Sequence, residues 1–348
     1  MLIQRTEIVE KINQYAGKST PFLFAIDFDG ERGFVVTREE ANQRGIFYNI
    51  EGHTNEDRCD KKTIPEFRII PVEFSVYRKA FDMVMLHLKR GDTYLINLTF
   101  PTCITTDASP LELFGVSNAP YKLYVPEQFI VFSPEPFIRI SGALISSHPM
   151  KGTIDASIAG AREKLLANPK ELFEHHTIVD LIRNDLSMVS TGVQVKRFRY
   201  LEKIHTNRGE LWQMSSEISG MMSSDYLSHL GDYLFKILPA GSVTGAPKEK
   251  TVQIIRKAET YQRGFYTGIF GFFDGKTFIS AVTIRYYELN REKIGEILMS
   301  LNAGPGCADE SGPDRPNMVY KSGGGITALS DAESEYDEML KKVYVPLV

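Results

Sequence analysis

Three observations make an α+β fold the prediction from sequence. Apolar runs pair around turn residues: in residues 22–37, FLFAIDFDGERGFVVT, two such runs flank Asp29-Gly30. Helical patterns arrive in blocks instead of alternating with single strands, which argues against a doubly wound parallel sheet. No G-x-G-x-x-G fingerprint occurs.

The elements follow in order. Residues 5–16 carry helical spacing, and residues 22–37 form the hairpin just described. Residues 74–90 make an amphipathic helix that ends at Arg90-Gly91, because glycine accepts the left-handed conformation that closes a helix. Strands are expected at 93–100, 121–124, 128–132 and 137–140. Residues 161–187 read as one long helix interrupted at Asn168-Pro169, with proline at the first helical position of its second half. Helices are expected at 225–238, 247–258 and 331–343, and a strand pair at 265–273 and 277–287 around Asp274-Gly275. Residues 302–318, NAGPGCADESGPDRPNM, read as a long surface loop. The chain is expected to be one enzyme domain over 1–348, with 1–130 a shortened N-terminal part and 131–348 the catalytic core.

Composition excludes several classes. Of 348 residues, 43% are hydrophobic and 24% charged, which is ordinary for a globular protein. With 40 Lys+Arg against 44 Asp+Glu the net charge is -4, which argues against nucleic acid as a partner. No apolar run approaches the roughly 18–20 residues of a membrane span. Charges throughout the first twenty residues speak against a signal peptide. Three scattered cysteines without a CxxC pair give no disulfide or zinc pattern, so the expected compartment is cytoplasmic.

Several motifs carry chemistry. GSVTGAPK (241–248) has too early a second glycine for a Walker loop and reads as a tight turn, with Thr244 as helix cap or an anion at the following helix start. The triple glycine 323–325 costs backbone entropy, which is tolerated where the chain bends sharply or a ligand touches the backbone. After it, Ser330 and Glu333 have capping-box spacing, and Glu335, Glu338 and Lys342 share a helix face. Asn168 and Glu171 have the spacing of a second box, and Glu171 and Glu174 share a face. The run EHHTIVDLIRND (174–185) reads either as an ion-pair network or as a ligand site, since buried polar groups need partners. Two glutamate pairs on separate helices suit a hard divalent cation such as Mg²⁺. Lys151, beside Gly152 and Met150, is a candidate base or nucleophile, with Glu135 the complementary acid.

Taken together and in this order, SPEPF (133–137), PMKGT (149–153), KELFEHHTIVDLIRND (170–185), GSVTGAPK, AVTIR (281–285), SGGGI (322–326) and EYDEMLKK (335–342) resemble the chorismate-utilising enzymes. That resemblance covers residues 133–343. It implies two antiparallel sheets packed together with helices outside. Lys151 combined with DLIRND and GSVTGAPK is most similar to the aminodeoxychorismate synthase component I branch, which serves 4-aminobenzoate and folate synthesis. Branches that use water to make isochorismate or salicylate are the first alternative, and anthranilate synthase component I is another. A non-catalytic chorismate-binding subunit is a reading of a different class.

Residue by residue, the resemblance implies that Lys151 attacks chorismate and Glu135 protonates the departing C4 hydroxyl. Glu174 and Glu338 match direct Mg²⁺ ligands, with Glu171 and Glu335 in the same cluster. Arg285 and Tyr266 match residues that grip the pyruvyl carboxylate, and Gly323, Gly324, Gly325, Thr244 and Lys342 line the pocket. A glutamine amidotransferase partner would supply the ammonia. Gln213 stands where amino-transferring relatives usually carry histidine.

Overall fold

The computed structural model describes residues 1–56, 68–206, 209–300 and 316–344. Among them, two antiparallel sheets of ten and nine strands face each other. Strand Phe22–Ile26 shows why they stack. All five of its residues are buried, and they alternate between two cores. Leu23 and Ala25 meet Tyr48, Tyr121, Leu123 and Phe129 of the other sheet. Phe22, Phe24 and Ile26 face outward onto the helix Arg5–Gly17 and the helix Leu230–Ile237. A two-residue period with both faces apolar has to be covered on both sides. On the outer face of the nine-stranded sheet, the helices Phe74–Lys89, Lys248–Ala258 and Ala332–Lys341 supply the cover. Each fully buried Phe or Leu contributes about 1.5–3 kcal/mol. The first 130 residues are woven into both sheets: Phe22–Ile26 pairs with Ile269–Phe273, and Leu95–Thr105 pairs with Met318–Ile326.

The α+β class and the packed antiparallel sheets stand as expected, and so do the first hairpin and the helix break at Asn168. Other expectations are corrected. The strand expected over 277–287 divides: Thr277–Val282 stays in the ten-stranded sheet, whereas Tyr286–Glu288 joins the nine-stranded one. Arg285, at φ 55, turns the chain between them. The hairpin Thr191–Thr206 and Gly209–Met221 and the helix Arg291–Ser300 were not anticipated. Thr244 does not cap the helix Lys248–Ala258, whose N-cap is Pro247; its hydroxyl donates to Ala240 O at 2.8 Å. Asp331, not Ser330, caps the last helix, accepting from Ser334 N at 3.0 Å. The expected loop at 302–318 lies mostly outside the described residues.

Candidate functional site

The glycine strand Met318–Ile326 lies between Leu95–Thr105 and Tyr286–Glu288. A Cβ on Gly323 would sit 2.4 Å from Leu98 O, so the close approach of the two backbones requires glycine. Its neighbours face carboxylates. A Cβ on Gly325 would lie 3.2 Å from Glu174 Oε2, and one on Gly324 would lie 3.5 Å from Glu335 Oε2. Both glutamates are buried, at 6% and 2% exposure. They come from different helices, Pro169–Ser187 and Ala332–Lys341, and reach adjacent residues of one strand. Lys342 reaches the same strand, donating to Gly323 O at 2.9 Å.

One turn before Glu174, Glu171 points to another strand. Its Oε2 lies 2.9 Å from where a Cβ on Gly152 would be, and Gly152 has φ +78. The register against Gly209–Met221 slips between Met150 and Thr153, which places Lys151 in the irregular stretch. The Lys151 side chain lies outside what the structure describes. The helix thus bridges the Lys151 strand and the glycine strand, with one glutamate on each. Glu338 differs from the other three: it is half exposed and pairs with Lys342 at 2.8 Å.

Arg285 and Tyr266 occupy a neighbouring position. Tyr266 is 3% exposed, and burial raises its phenol pKa. The Arg285 guanidinium stacks 5.2 Å from the Tyr344 ring, with the phenols of Tyr320, Tyr344 and Tyr266 as its electrostatic neighbours. Its Nε is sealed from solvent and has no hydrogen-bond partner. Tyr320, on the glycine strand itself, donates to Lys342 O at 2.6 Å, which ties this group to the end of the helix Ala332–Lys341. The carbonyl of Thr244 accepts from Asn97 N at 2.9 Å, and Asn97 is the register partner of Gly325. Thr244 therefore borders the glycine strand through its backbone, while its side chain turns away.

Glu135 follows strand Phe129–Ser133, held by its N–H donating to Ser133 Oγ at 3.1 Å. Several members of EHHTIVDLIRND find partners inside the protein. His175 Nε2 meets Ser216 Oγ at 2.7 Å, and Asp180 pairs with Arg183 at the surface at 2.9 Å. Asp185 takes Lys248 of GSVTGAPK, with both carboxylate oxygens 2.8 Å from Nζ. Burial pushes Asp185 up to about 6 and lowers Lys248. Sequence reasoning missed this link between two of its own motifs. It also missed two other buried pairs, Arg263 with Glu259 at 2.6 Å and Lys321 with Glu288 at 3.0 Å. Neither had a signal in a periodic pattern: the helix ends at Ala258, so Glu259 and Arg263 meet across the irregular stretch that follows it, and Lys321 and Glu288 lie on separate strands. A cavity of about 790 Å³, floored by these two pairs, contains none of the predicted site residues.

A family model described as chorismate binding enzyme matches residues 34–348. The chain belongs to the chorismate-binding enzyme family. An uncharacterized PabA-like protein of Haemophilus influenzae is 44% identical over 339 residues, which is 97% of this chain and 96% of that one. Aminodeoxychorismate synthase component 1 of Bacillus subtilis is 30% identical over 211 residues, 57% of this chain and 44% of its own length. Among solved structures, anthranilate synthase component I of Streptococcus pneumoniae superposes with TM-score 0.66 at 17% identity, covering 95% of this chain and 84% of that one. MenF, the menaquinone-specific isochorismate synthase of Escherichia coli, gives 0.64 at 16%, covering 97% and 80%. These structural likenesses establish the fold. No helix among the described residues is long and apolar enough to cross a membrane.

Among the described residues, no group of three or more His, Cys, Asp or Glu side chains is arranged to hold a metal. The donor types are nevertheless those that Mg²⁺ takes. That ion takes one or two protein carboxylates and fills its remaining positions with waters and substrate oxygens. Glu174 and Glu335, set against glycines 325 and 324, are two buried hard-oxygen donors of this kind.

Proposed function

We propose that this chorismate-binding enzyme aminates chorismate at C4, giving 4-amino-4-deoxychorismate as an aminodeoxychorismate synthase component I. Arg285 carries the reading. Arg263, Lys321, Lys248 and Lys122 each face a carboxylate of the protein. Among the described residues Arg285 faces phenols alone, with Nε unpartnered. A partly buried guanidinium without a counter-ion suits an anionic ligand, and chorismate is a dianion. Support for amination comes from DLIRND and GSVTGAPK, tied by Asp185 and Lys248, and from the name of the Bacillus subtilis relative.

In this reading the neutral Lys151 amine bonds to C2 of the ring as the C4–O bond breaks. Glu135 protonates the departing hydroxyl. Ammonia then bonds to C4 and expels the lysine, so one hard displacement becomes two easier ones. Arg285, Tyr266 and Lys342 orient the carboxylates, with the backbone of Gly323 to Gly325. Glu174 would hold Mg²⁺ together with Glu335, in place of the Glu338 that the resemblance implies, because Glu338 is half exposed and pairs with Lys342; Glu171 and Glu338 would stand beside them. When bound, Mg²⁺ neutralises and orients the substrate carboxylate. A separate glutamine amidotransferase supplies ammonia, and free ammonium replaces it in vitro.

The test is product analysis by chromatography with mass detection, using purified protein, chorismate, Mg²⁺ and ammonium. Ammonium-dependent 4-amino-4-deoxychorismate is expected, and Lys151→Ala should abolish it. Isochorismate or salicylate formed without ammonium would move the chain to the water-using branch.

A further inference from the structure

We infer that Asp185, held by Lys248, is a positioning residue for Glu135: through one water in the cavity between them, it returns the proton that Glu135 gives up in each turnover. This rests on the reading of Glu135 as the acid.

The cavity has a volume of about 20 Å³ and is lined by Glu135, Ser147, Asp185 and Ser242 together with apolar side chains such as Phe137 and Ile182. Room for a single water begins at roughly 10–15 Å³, and a buried water needs two to four polar partners. Two carboxylates and two hydroxyls meet that need. Among the described residues that line it, Glu135 and Asp185 are the two that ionise. Both Asp185 oxygens accept from Lys248, which leaves each a second lone pair. Lys248 also donates to Ile237 O at 2.8 Å and is 16% exposed, so the pair reaches toward solvent on its far side. Burial brings the proton affinities of Asp185 and Lys248 toward each other, the first raised to about 6 and the second lowered. Such a carboxylate can hold a proton briefly near neutral pH.

The proton count requires such a return. Glu135 gives a proton to the C4 hydroxyl, which leaves as water. Ammonia bonded to C4 keeps its three protons as the ammonium group of the product. Glu135 is left as a carboxylate and needs one proton from solvent before the next cycle. The cavity water passes one to Glu135 and takes one from Asp185, which is refilled from the Lys248 side.

The experiment compares the first turnover with later ones, in rapid-quench mixing of enzyme with chorismate, Mg²⁺ and ammonium. Asp185→Asn keeps the shape and an acceptor for Lys248 but cannot carry the proton. Ser242→Val fills the cavity and leaves the ion pair alone, so it carries the test if the first variant does not fold. Each folded variant should form one product per site at the wild-type rate, then slow by about 100-fold, the low end for a lost proton transfer. A small acid such as formate should restore the steady rate. Wild-type steady turnover in both variants, or equal slowing of the first and later turnovers, overturns the relay. Glu135→Gln separates the two ideas. If its first turnover is normal, the acid assignment falls and the relay with it. If its first turnover is lost while Ser242→Val shows no burst, the relay falls by itself.

Discussion

Replacing Gly325 by alanine should loosen Mg²⁺ binding without unfolding the protein. The new Cβ would stand 3.2 Å from Glu174 Oε2 and 3.2 Å from Leu95 Cδ1, whereas ordinary contact begins at 3.4 Å. One neighbour must retreat by a few tenths of an ångström. Leu95 is 2% exposed, on a strand paired on both sides, so the Glu174 carboxylate is the group that moves. Gly325 does not use the left-handed region, and alanine there meets no backbone strain. Overpacking of this kind costs about 1–3 kcal/mol. Disturbing the support of a metal ligand commonly costs about 10–100-fold in affinity, which is roughly 1.4–2.8 kcal/mol and falls in the same range. Isothermal titration with Mg²⁺, beside a thermal melt, reads both effects. Gly324→Ala is the control: its Cβ would meet Glu335 Oε2 at 3.5 Å and Lys342 Nζ at 3.7 Å, both ordinary contacts, so near-normal affinity is expected. Gly323→Ala would press on Leu98 O at 2.4 Å, a backbone atom that cannot retreat, and should lose stability instead. Equal Mg²⁺ affinity in wild type and a folded Gly325→Ala protein would refute the reasoning.

Arg285→Gln should raise the chorismate Kd by about 10–100-fold, as expected for losing charged hydrogen bonds worth about 1.5–3 kcal/mol; an unchanged Kd in titration removes Arg285 from the site. Lys321→Met should leave the Glu288 carboxylate buried with only the Tyr286 hydroxyl at 3.0 Å, costing about 3–5 kcal/mol. At about 2–4 °C per kcal/mol that lowers Tm by roughly 6–20 °C, and adding Glu288→Gln should recover much of it. Burial holds His148 below its ordinary value of 6.5. The folded state therefore binds this proton less readily than the unfolded chain, and stability is lost as pH falls below about 6.5. His148→Gln should flatten that acid limb in melts run at stepped pH.

Local patterns were legible in the sequence where one element's own chemistry decides. The helix Phe74–Lys89 announced itself by periodicity, and the helix break at Asn168 by the proline that follows. The hairpin over residues 191–221 hid because stretches such as KRFRYLEK (196–203) keep charged residues on an exposed strand and blur the alternation. The division of the strand after Val282 depends on one residue at positive φ, which arginine seldom adopts and no pattern signals. Pairs between distant segments were equally silent. Asp185 and Lys248 lie 63 residues apart and Lys321 and Glu288 lie 33 apart, and no period links either pair.

The same comparison shows where the protein leaves local rules uncompensated. Burying a cation is costly, and in four places the fold answers with a carboxylate of its own. Three consecutive glycines weaken a central strand, and only Gly323 is required by strand packing. Gly325 instead makes room for the Glu174 carboxylate. Arg285 combines a strained backbone with a guanidinium that meets no internal anion among the described residues. Sites that break local rules with no gain inside the fold are where function is expected. Here the group that Arg285 lacks among the described residues is an anion, and a dianionic substrate of the kind proposed above would supply it.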